Sequence, residues 1–550
     1  MSVATSVRSP QVVPSGPPGR ASLVLDQIGY AARELWRSRV VLIFTFVLPL
    51  VWLVLIGIIA GNAVLDSASG LRVMQFVTPT AAVMGILFAT FPPVAYSLAL
   101  AREQKILKRL GGTPLPAWAY LCGRTGAAVL LGLASVAVML AVGVLAYDVQ
   151  IVWRTLPAAA VTVVVGIVSF AMLGLAVGAL APSASVAQTV ALGSAVAVTF
   201  LSGLFMIGST APPLLDAIAS LFPVEHLATA LQEQFDPFHP GSGWDLEALA
   251  IMGAWGIAGL VVAAWALRRE PASASRGPSR RAGANEARAI GPAQPAGERR
   301  FGMVLDQAAW ATRGSWRDAG VVFFAVAMPV GLYALMATMY GETDLRPDGR
   351  PFSFFFACGM AVYGIAVTAF VNNPEFVATA RDRAVLKRLR GTPLAPWQYL
   401  AGRTGSVIWI GALTAALVFA VGIAFFGVRL GGIDALIAGA AVLVFGILTL
   451  AACGYALVAV APSERAVTAI GLAVLLPLAF FSDIFIIGGA PDWMATVGSL
   501  FPLRHFVHAL AAALDPAGMS VQWMDLAAMA VWLVGTTLVA VRWFRWDPRR

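Results

Sequence analysis

The sequence predicts an all-α polytopic membrane protein made of two parallel repeats of six transmembrane helices. Three observations lead there. Hydrophobic residues make up 59% of the chain and charged ones only 12%, against roughly 45–50% and 25% in soluble domains. Long apolar stretches such as Val40–Gly61, Thr125–Tyr147 and Ala466–Gly488 recur, and each can cross a hydrocarbon core about 30 Å thick as a helix. Finally, residues 101–126 and 380–405 are identical at seventeen of 26 positions, without a gap, at an offset of 279.

The repeat extends beyond that loop. Val24-Leu25-Asp26-Gln27 and Trp36 return as Val304-Leu305-Asp306-Gln307 and Trp316. Ala181-Pro182-Ser183 returns as Ala461-Pro462-Ser463, and Leu221-Phe222-Pro223 with His226 as Leu500-Phe501-Pro502 with His505. The six apolar segments of the first half lie near 40–61, 74–100, 125–147, 155–181, 186–208 and 247–267; those of the second near 319–340, 353–379, 404–427, 432–461, 465–488 and 524–544. Six is even, so both halves enter from the same side and are related by an axis along the membrane normal. The expected organisation is a polar tail at 1–20, a first unit at 21–270, a Pro-, Gly- and Ser-rich cytoplasmic linker at 271–300, and a second unit at 301–550. The tail is too polar for a signal peptide, so the first span is expected to direct insertion.

Charge placement sets the orientation. With the N-terminus cytoplasmic, 31 basic and 12 acidic residues lie inside and 6 and 16 outside, that is +19 against −10. Basic residues gather on the cytoplasmic side of membrane proteins, so both termini are expected there. The net charge of +9 is thereby explained without nucleic acid. Leu23–Arg39, with Leu25, Ile28, Ala32, Leu35 and Trp36 at helical spacing, reads as an amphipathic helix at the inner interface. Residues 221–231 and 500–510 are apolar but too short to cross, and are expected to dip into the outer leaflet.

The repeated loop joins spans two and three. Leu107, Lys108, Arg109 and Leu110, and Leu386, Lys387, Arg388 and Leu389, mix apolar with basic residues over one short helix. Thr113-Pro114 and Thr392-Pro393 then end it, because a proline disfavours helix at the residue before it. A topological role alone would explain the charge but not the shared register, turn and aromatics (Trp118 and Tyr120, Trp397 and Tyr399).

This arrangement resembles the permease subunits of ABC type-2 exporters. The residues that carry the likeness are Arg102-Glu103, LKRLGGTPLPAW (107–118) and Gly123-Arg124, and again Arg381-Asp382, LKRLRGTPLAPW (386–397) and Gly402-Arg403. The resemblance implies, per six-span unit, an N-terminal interfacial helix, a cytoplasmic coupling helix and re-entrant helices between spans five and six. It implies that Arg102 to Pro114 and Arg381 to Pro393 form the coupling region for two copies of a separate ATP-binding cassette subunit, with ATP and magnesium held there. The leucine face is expected to dock into a groove on that subunit. This chain would be a fused dimer. The three lysines, Lys105, Lys108 and Lys387, stand in no GxxxxGK[ST] context, so no phosphate-binding loop of that type is present and no catalytic role is assigned.

Polar residues within spans are scarce, and such residues often mark function. Asn372, Asn373 and Glu375 lie in the inner part of one second span, where the first half has Pro93-Val94-Ala95-Tyr96 instead. A substrate role competes with a plainer one, in which Glu375 pairs with a basic group near the inner headgroups. Asp483, near the outer end of a fifth span, is a candidate for lining an exit or anchoring at the interface. Phe88, Phe91, Tyr96 and Phe370 could line an apolar path or pack. His226 and His505 are expected to cap or pack, and Cys122, Cys358 and Cys453 to fill space. None of these has metal-ligand spacing.

The leading expectation is therefore a bacterial plasma-membrane permease exporting lipophilic or amphipathic compounds such as drugs or antibiotics, with lipid or glycan export open. A twelve-span secondary transporter is the runner-up, but that class places ionisable groups near mid-membrane, where this sequence has almost none. An embedded enzyme would need a His, Asp or Cys cluster at one depth.

Overall fold

A computed structural model describes residues 20–37, 39–66, 70–110, 112, 115–204, 213–269, 296–340, 349–389, 391–485, 492–544 and 546. The expected tail lies outside these except for Arg20, and the expected linker except for 296–300, which open a helix. Among the described residues ten helices are long and apolar enough to span, and two shorter apolar ones, Ile43–Ile59 and Ala466–Phe481, complete six per half.

The order is the same in both halves. An interfacial helix (Arg20–Arg37; Ala296–Arg317) leads into span 1. Spans 2 and 3 (Val73–Glu103 and Ala117–Tyr147; Phe352–Asp382 and Pro396–Phe425) flank a five-residue loop helix, Ile106–Leu110 or Val385–Leu389. Spans 4, 5 and 6 follow as Leu156–Leu180, Ala184–Leu201 and Leu246–Arg269, and as Ile433–Val460, Glu464–Phe481 and Trp523–Trp543. Left-handed backbone recurs too: Gly70 with Gly349, Lys105 with Ala384, Asp148 with Gly427, and Gly203 with Asp483. In the first half a short antiparallel ribbon, Val64–Asp66 with Leu71–Arg72, joins spans 1 and 2.

Between spans 5 and 6 each half bends a helix pair sharply, by 98° in Pro213–Ala219 and Pro223–Phe235 and by 99° in Asp492–Gly498 and Pro502–Leu514. The bend follows from the Leu-Phe-Pro sequence. Proline holds Phe222 and Phe501 in extended backbone and then opens the next helix, where its missing N–H is not needed. Nε2 of His226 and of His505 bonds the carbonyl of Ser220 or Ser499 across the bend, at 2.8 and 2.7 Å. From span 6, Trp255 and Trp532 donate Nε1–H to the carbonyls of Leu221 and Leu500, both at 3.0 Å.

Span 2 is the centre of each half and span 6 its edge: the most apolar stretch of span 2 is 83% and 94% buried, that of span 6 only 28% and 6%. Span 1 carries a π-helical turn, Ile43–Val47 or Phe323–Ala327, ahead of Pro49 and Pro329. Widened turns of this kind accommodate a proline that cannot donate to the helix ladder. The halves meet through span 1 of each against span 5 of the other. Trp52 packs on Phe480 (ring centroids 6.1 Å), and Phe323 lies where a Cβ on Gly193 would be 2.5 Å from its ring. Phe200 and Phe485 meet at 6.4 Å at the end of the seam away from the loop helices.

Candidate functional site: the loop-helix ends of spans 2 to 5

The loop helix hangs from span 2 by one left-handed residue, Lys105 or Ala384. Just before it, Arg102 donates to the carbonyls of Gly178 and Ala181 at 2.8 and 3.1 Å, and Arg381 to that of Val458 at 2.8 Å. These are the last carbonyls of span 4, left without helical partners at its end. Glu103 accepts from the backbone N–H of Ala184 at 3.0 Å, and Asp382 from that of Glu464 at 2.8 Å. Ser183 and Ser463 cap the same helix starts, accepting from Val186 and Ala466 at 3.3 Å. The Arg-acid pairs and the Ala-Pro-Ser turns are thus one device, which ties span 2 and its loop helix to the hinge between spans 4 and 5.

The placement of the leucines differs from the expected outward apolar face. Leu386 is fully buried in the core of the second half, and Leu389 packs half-buried against it. Leu107 packs half-buried against the cluster of its own half that holds Val94, Leu98 and Leu175. A five-residue helix gains more by burying its leucines on adjacent spans than by holding them in water. What faces outward is basic: Lys108, Arg109, Lys387 and Arg388 are exposed. Exposed Thr392 accepts from Leu394 N–H at 3.4 Å and donates to the Leu389 carbonyl at 2.7 Å, closing the turn beside exposed Pro393. Thr113, Pro114 and the side chain of Leu110 lie outside the described residues.

Span 3 begins where the interfacial helix crosses it. A Cβ on Gly123 or Gly402 would lie 2.4 Å from Cβ of Gln27 or Gln307, so only glycine permits this approach. The adjacent arginines then diverge. Arg124 pairs with Glu34 of the interfacial helix at 2.8 Å and lies over Tyr120. Arg403 instead donates to Oδ1 of Asn373 at 3.0 Å and lies 4.8 Å from the centroid of Phe376. Asn373 donates onward to the Tyr455 hydroxyl at 3.0 Å, which bonds Thr404 at 2.9 Å and the Leu400 carbonyl at 3.1 Å. Asn373 is therefore an internal strut joining spans 2, 3 and 4.

The other candidate path residues are scattered. Glu375 is half-buried beside Thr468 and Glu464 of span 5, with Asp318 also near it. Asn372 is half-buried, with no hydrogen-bond partner for its buried Nδ2 among the described residues. Phe88 is fully buried against Phe44, with rings 5.9 Å apart; Phe91 and Phe370 are half-buried, and Tyr96 is exposed. Asp483 is buried and bound by Arg504 at 3.0 Å and His508 at 2.9 Å, so it is an internal ion pair linking span 5 to the bent helices. The seam between halves holds a gap of about 10 Å³ lined by Ile43, Val47, Leu48, Val51, Leu472, Ala473, Leu476 and Pro477, none of them a candidate. A larger groove of about 510 Å³ lies open on the molecular surface between spans 4 and 6 of the second half, beside Phe445 and Trp523.

Sequence reasoning missed the partners that complete these devices: Gln27 and Gln307 at the glycines, Tyr455 in the Asn373 network, and Trp255 and Trp532 at the bends. The tryptophans repeat at 277 rather than 279, so an ungapped comparison passes over them.

Comparison with known proteins agrees with this double architecture. The ABC-2 type transporter family matches residues 30–235 and again 309–514. Among curated proteins, the inner membrane transport permease YadH of Escherichia coli K12 is 25% identical over 207 residues, covering 37% of this chain and 80% of that protein. The namesake from Shigella flexneri matches equally. Two family-length units, each with an interfacial helix, a loop helix and a bent pair, lie end to end, and the chain belongs to the ABC-2 type transporter family as a multi-pass membrane permease.

Proposed function

We propose that this chain is the membrane part of an ATP-driven exporter, moving lipophilic or amphipathic compounds such as drugs or antibiotics across a bacterial plasma membrane. Both termini and both loop helices face the cytoplasm, and each loop helix docks one copy of a separate ATP-binding cassette subunit, which holds the ATP and magnesium. The observation that carries the proposal is the tie between loop helix and span hinge. Residues 102–103 and 381–382 bond the turn between spans 4 and 5, so displacement of a loop helix by a docked motor moves span 5. Span 5 forms half of the seam between halves. Docking itself falls to the exposed Lys108, Arg109, Lys387 and Arg388, which suit an acidic groove.

Away from the loop helices the seam is lined by apolar side chains, with Trp52 on Phe480, Phe200 by Phe485 and a gap walled by Val47, Val51 and Leu472, which favours a lipophilic cargo passing between the halves over an ion or a sugar. Asn373 acts on that path indirectly, by fixing span 2 of one half. Glu375 and Phe370 both lie beside span 5, which forms one wall of that path. The test is reconstitution: the purified chain alone should hydrolyse no ATP, and adding its ATP-binding subunit should give hydrolysis stimulated by lipophilic cargo. Hydrolysis by the chain alone, or transport driven by a proton or sodium gradient without the subunit, contradicts the proposal.

A further inference from the structure

The interfacial helices present outward a surface that the transport reading does not use. Arg33 and Arg37 of the first, and Arg313 and Arg317 of the second, occupy equivalent positions, and all four are exposed. Aromatic rings flank them at equivalent positions: Tyr30 and Trp36 in one helix, Trp310 and Trp316 in the other, all exposed, with Trp310 70% accessible. Leu25 and Leu305 continue this exposed arc. The acids nearby are engaged or distant. Glu34 is held by Arg124, its equivalent is Gly314, and Asp318 caps the next helix by accepting from Gly320 N–H at 2.9 Å. Asp26 and Asp306 lie two turns back from Arg33 and Arg313, about 10 Å along the axis. No acid among the described residues pairs with these four arginines. Arg33 uses only Nε on its own helix, donating to Gly29 at 3.0 Å.

We infer that each interfacial helix is a docking platform for acidic phospholipid in the inner leaflet. Trp36 fixes the depth: its ring meets Phe46 of span 1 edge-on at 6.0 Å, which makes the arc continuous with the lipid-facing surface of the spans. Tryptophan and tyrosine settle at headgroup level, and the paired guanidinium groups beside them match phosphate in charge and geometry. An uncharged bilayer would accommodate the rings but not use the arginines. The inference rests on the cytoplasmic placement of these helices proposed above, but its test needs neither motor nor cargo, so either can fail alone.

The detergent-purified full chain is mixed with equal phosphatidylglycerol and phosphatidylcholine, and retained lipid is counted by native mass spectrometry. Wild type retains phosphatidylglycerol in preference. Arg33, Arg37, Arg313 and Arg317→Gln together should lower its retention about fivefold or more, because each basic residue near an acidic surface contributes a factor of that order. Phosphatidylcholine retention and the melting temperature should be unchanged, and Arg33 and Arg37→Gln alone should give about half the loss, one of two platforms. Lys108, Arg109, Lys387 and Arg388→Gln, basic residues outside the platforms, should change nothing. Unchanged retention in the four-arginine variant overturns the proposal, as does displacement of the lipid by an equal concentration of inorganic phosphate.

Discussion

The two halves share their scaffold and differ in what fills it. At the start of span 3, Arg124 reaches outward to Glu34 of the interfacial helix, whereas Arg403 turns inward to Asn373 of span 2. The exchange is reciprocal. The second half has Gly314 where the first has Glu34, and the first has Val94 where the second has Asn373. A buried guanidinium must find an acceptor, and either neighbour suffices. At the end away from the loop helices, Asp483 with Arg504 and His508 stands where the first half has Gly203, Glu225 and Thr229. By contrast the loop helices, the Arg-acid ties, the Leu-Phe-Pro bends and the interfacial glycines are kept in both. The lesson is that positions joining elements are constrained twice over, while polar side chains inside the spans can be traded within each half.

The largest expected effect separates the two ties. Arg381 is 1% exposed and Arg102 is half-buried. Arg381→Met leaves the Val458 carbonyl and Asp382 without their buried partner and should destabilise by about 3 kcal/mol, against about 1 for Arg102→Met. Thermal unfolding in detergent measures both, and equal losses would break the claim that the second half is tied more deeply.

Asp483→Gly imposes the first half's residue at that end. It relieves a left-handed aspartate, worth about 1 kcal/mol, but strips Arg504 and His508 of their shared acceptor. The net should be a loss of about 2 kcal/mol. A gain in melting temperature would show the ion pair to be idle.

Next comes the exchange itself. Asn373→Val should cost about 2 kcal/mol by leaving Arg403 without its acceptor. Adding Gly314→Glu restores the first half's arrangement; a Cβ there meets nothing within 4 Å. Recovery should exceed the ~1 kcal/mol that replacing a mid-helix glycine gives by itself, and a double-mutant cycle isolates the excess. Strict additivity would mean that the two acceptors do not substitute for one another. Smallest of all, Lys105→Gly and Ala384→Gly should each leave stability unchanged or raise it by up to about 1 kcal/mol, since only glycine adopts left-handed backbone without steric penalty.

Much of this was legible in the sequence, because duplication supplies an internal alignment. The six spans per half, the bends at Leu-Phe-Pro and the loop helix all follow from repeated punctuation by proline and glycine amid apolar runs. The direction of the loop leucines was not legible: over five residues Leu107, Leu386 and Leu389 fit either face, and the long apolar ends of spans 2 and 3 decide it. Nor was the partner of Arg403, because Asn373 lies 30 residues away on another span and has no counterpart in the first half. Asn372 to Glu375 looked like one polar motif, yet a π-helical turn at Val367–Asn372 sets it around span 2, and Asn373 points into the half while Glu375 faces span 5.

The central claim is that the basic face of each loop helix holds the motor while its leucines hold the permease. It is tested most directly by capturing the ATP-binding subunit on the immobilised chain. Lys108, Arg109, Lys387 and Arg388→Glu should leave the melting temperature unchanged and abolish capture, since reversing charge across a complementary interface costs several kcal/mol. Leu386→Asp should instead lower the melting temperature through a buried, unpaired carboxylate. Undiminished capture by the four-charge variant, with Leu386→Asp folded as stably as wild type yet unable to bind, would contradict the account and return docking to the apolar face.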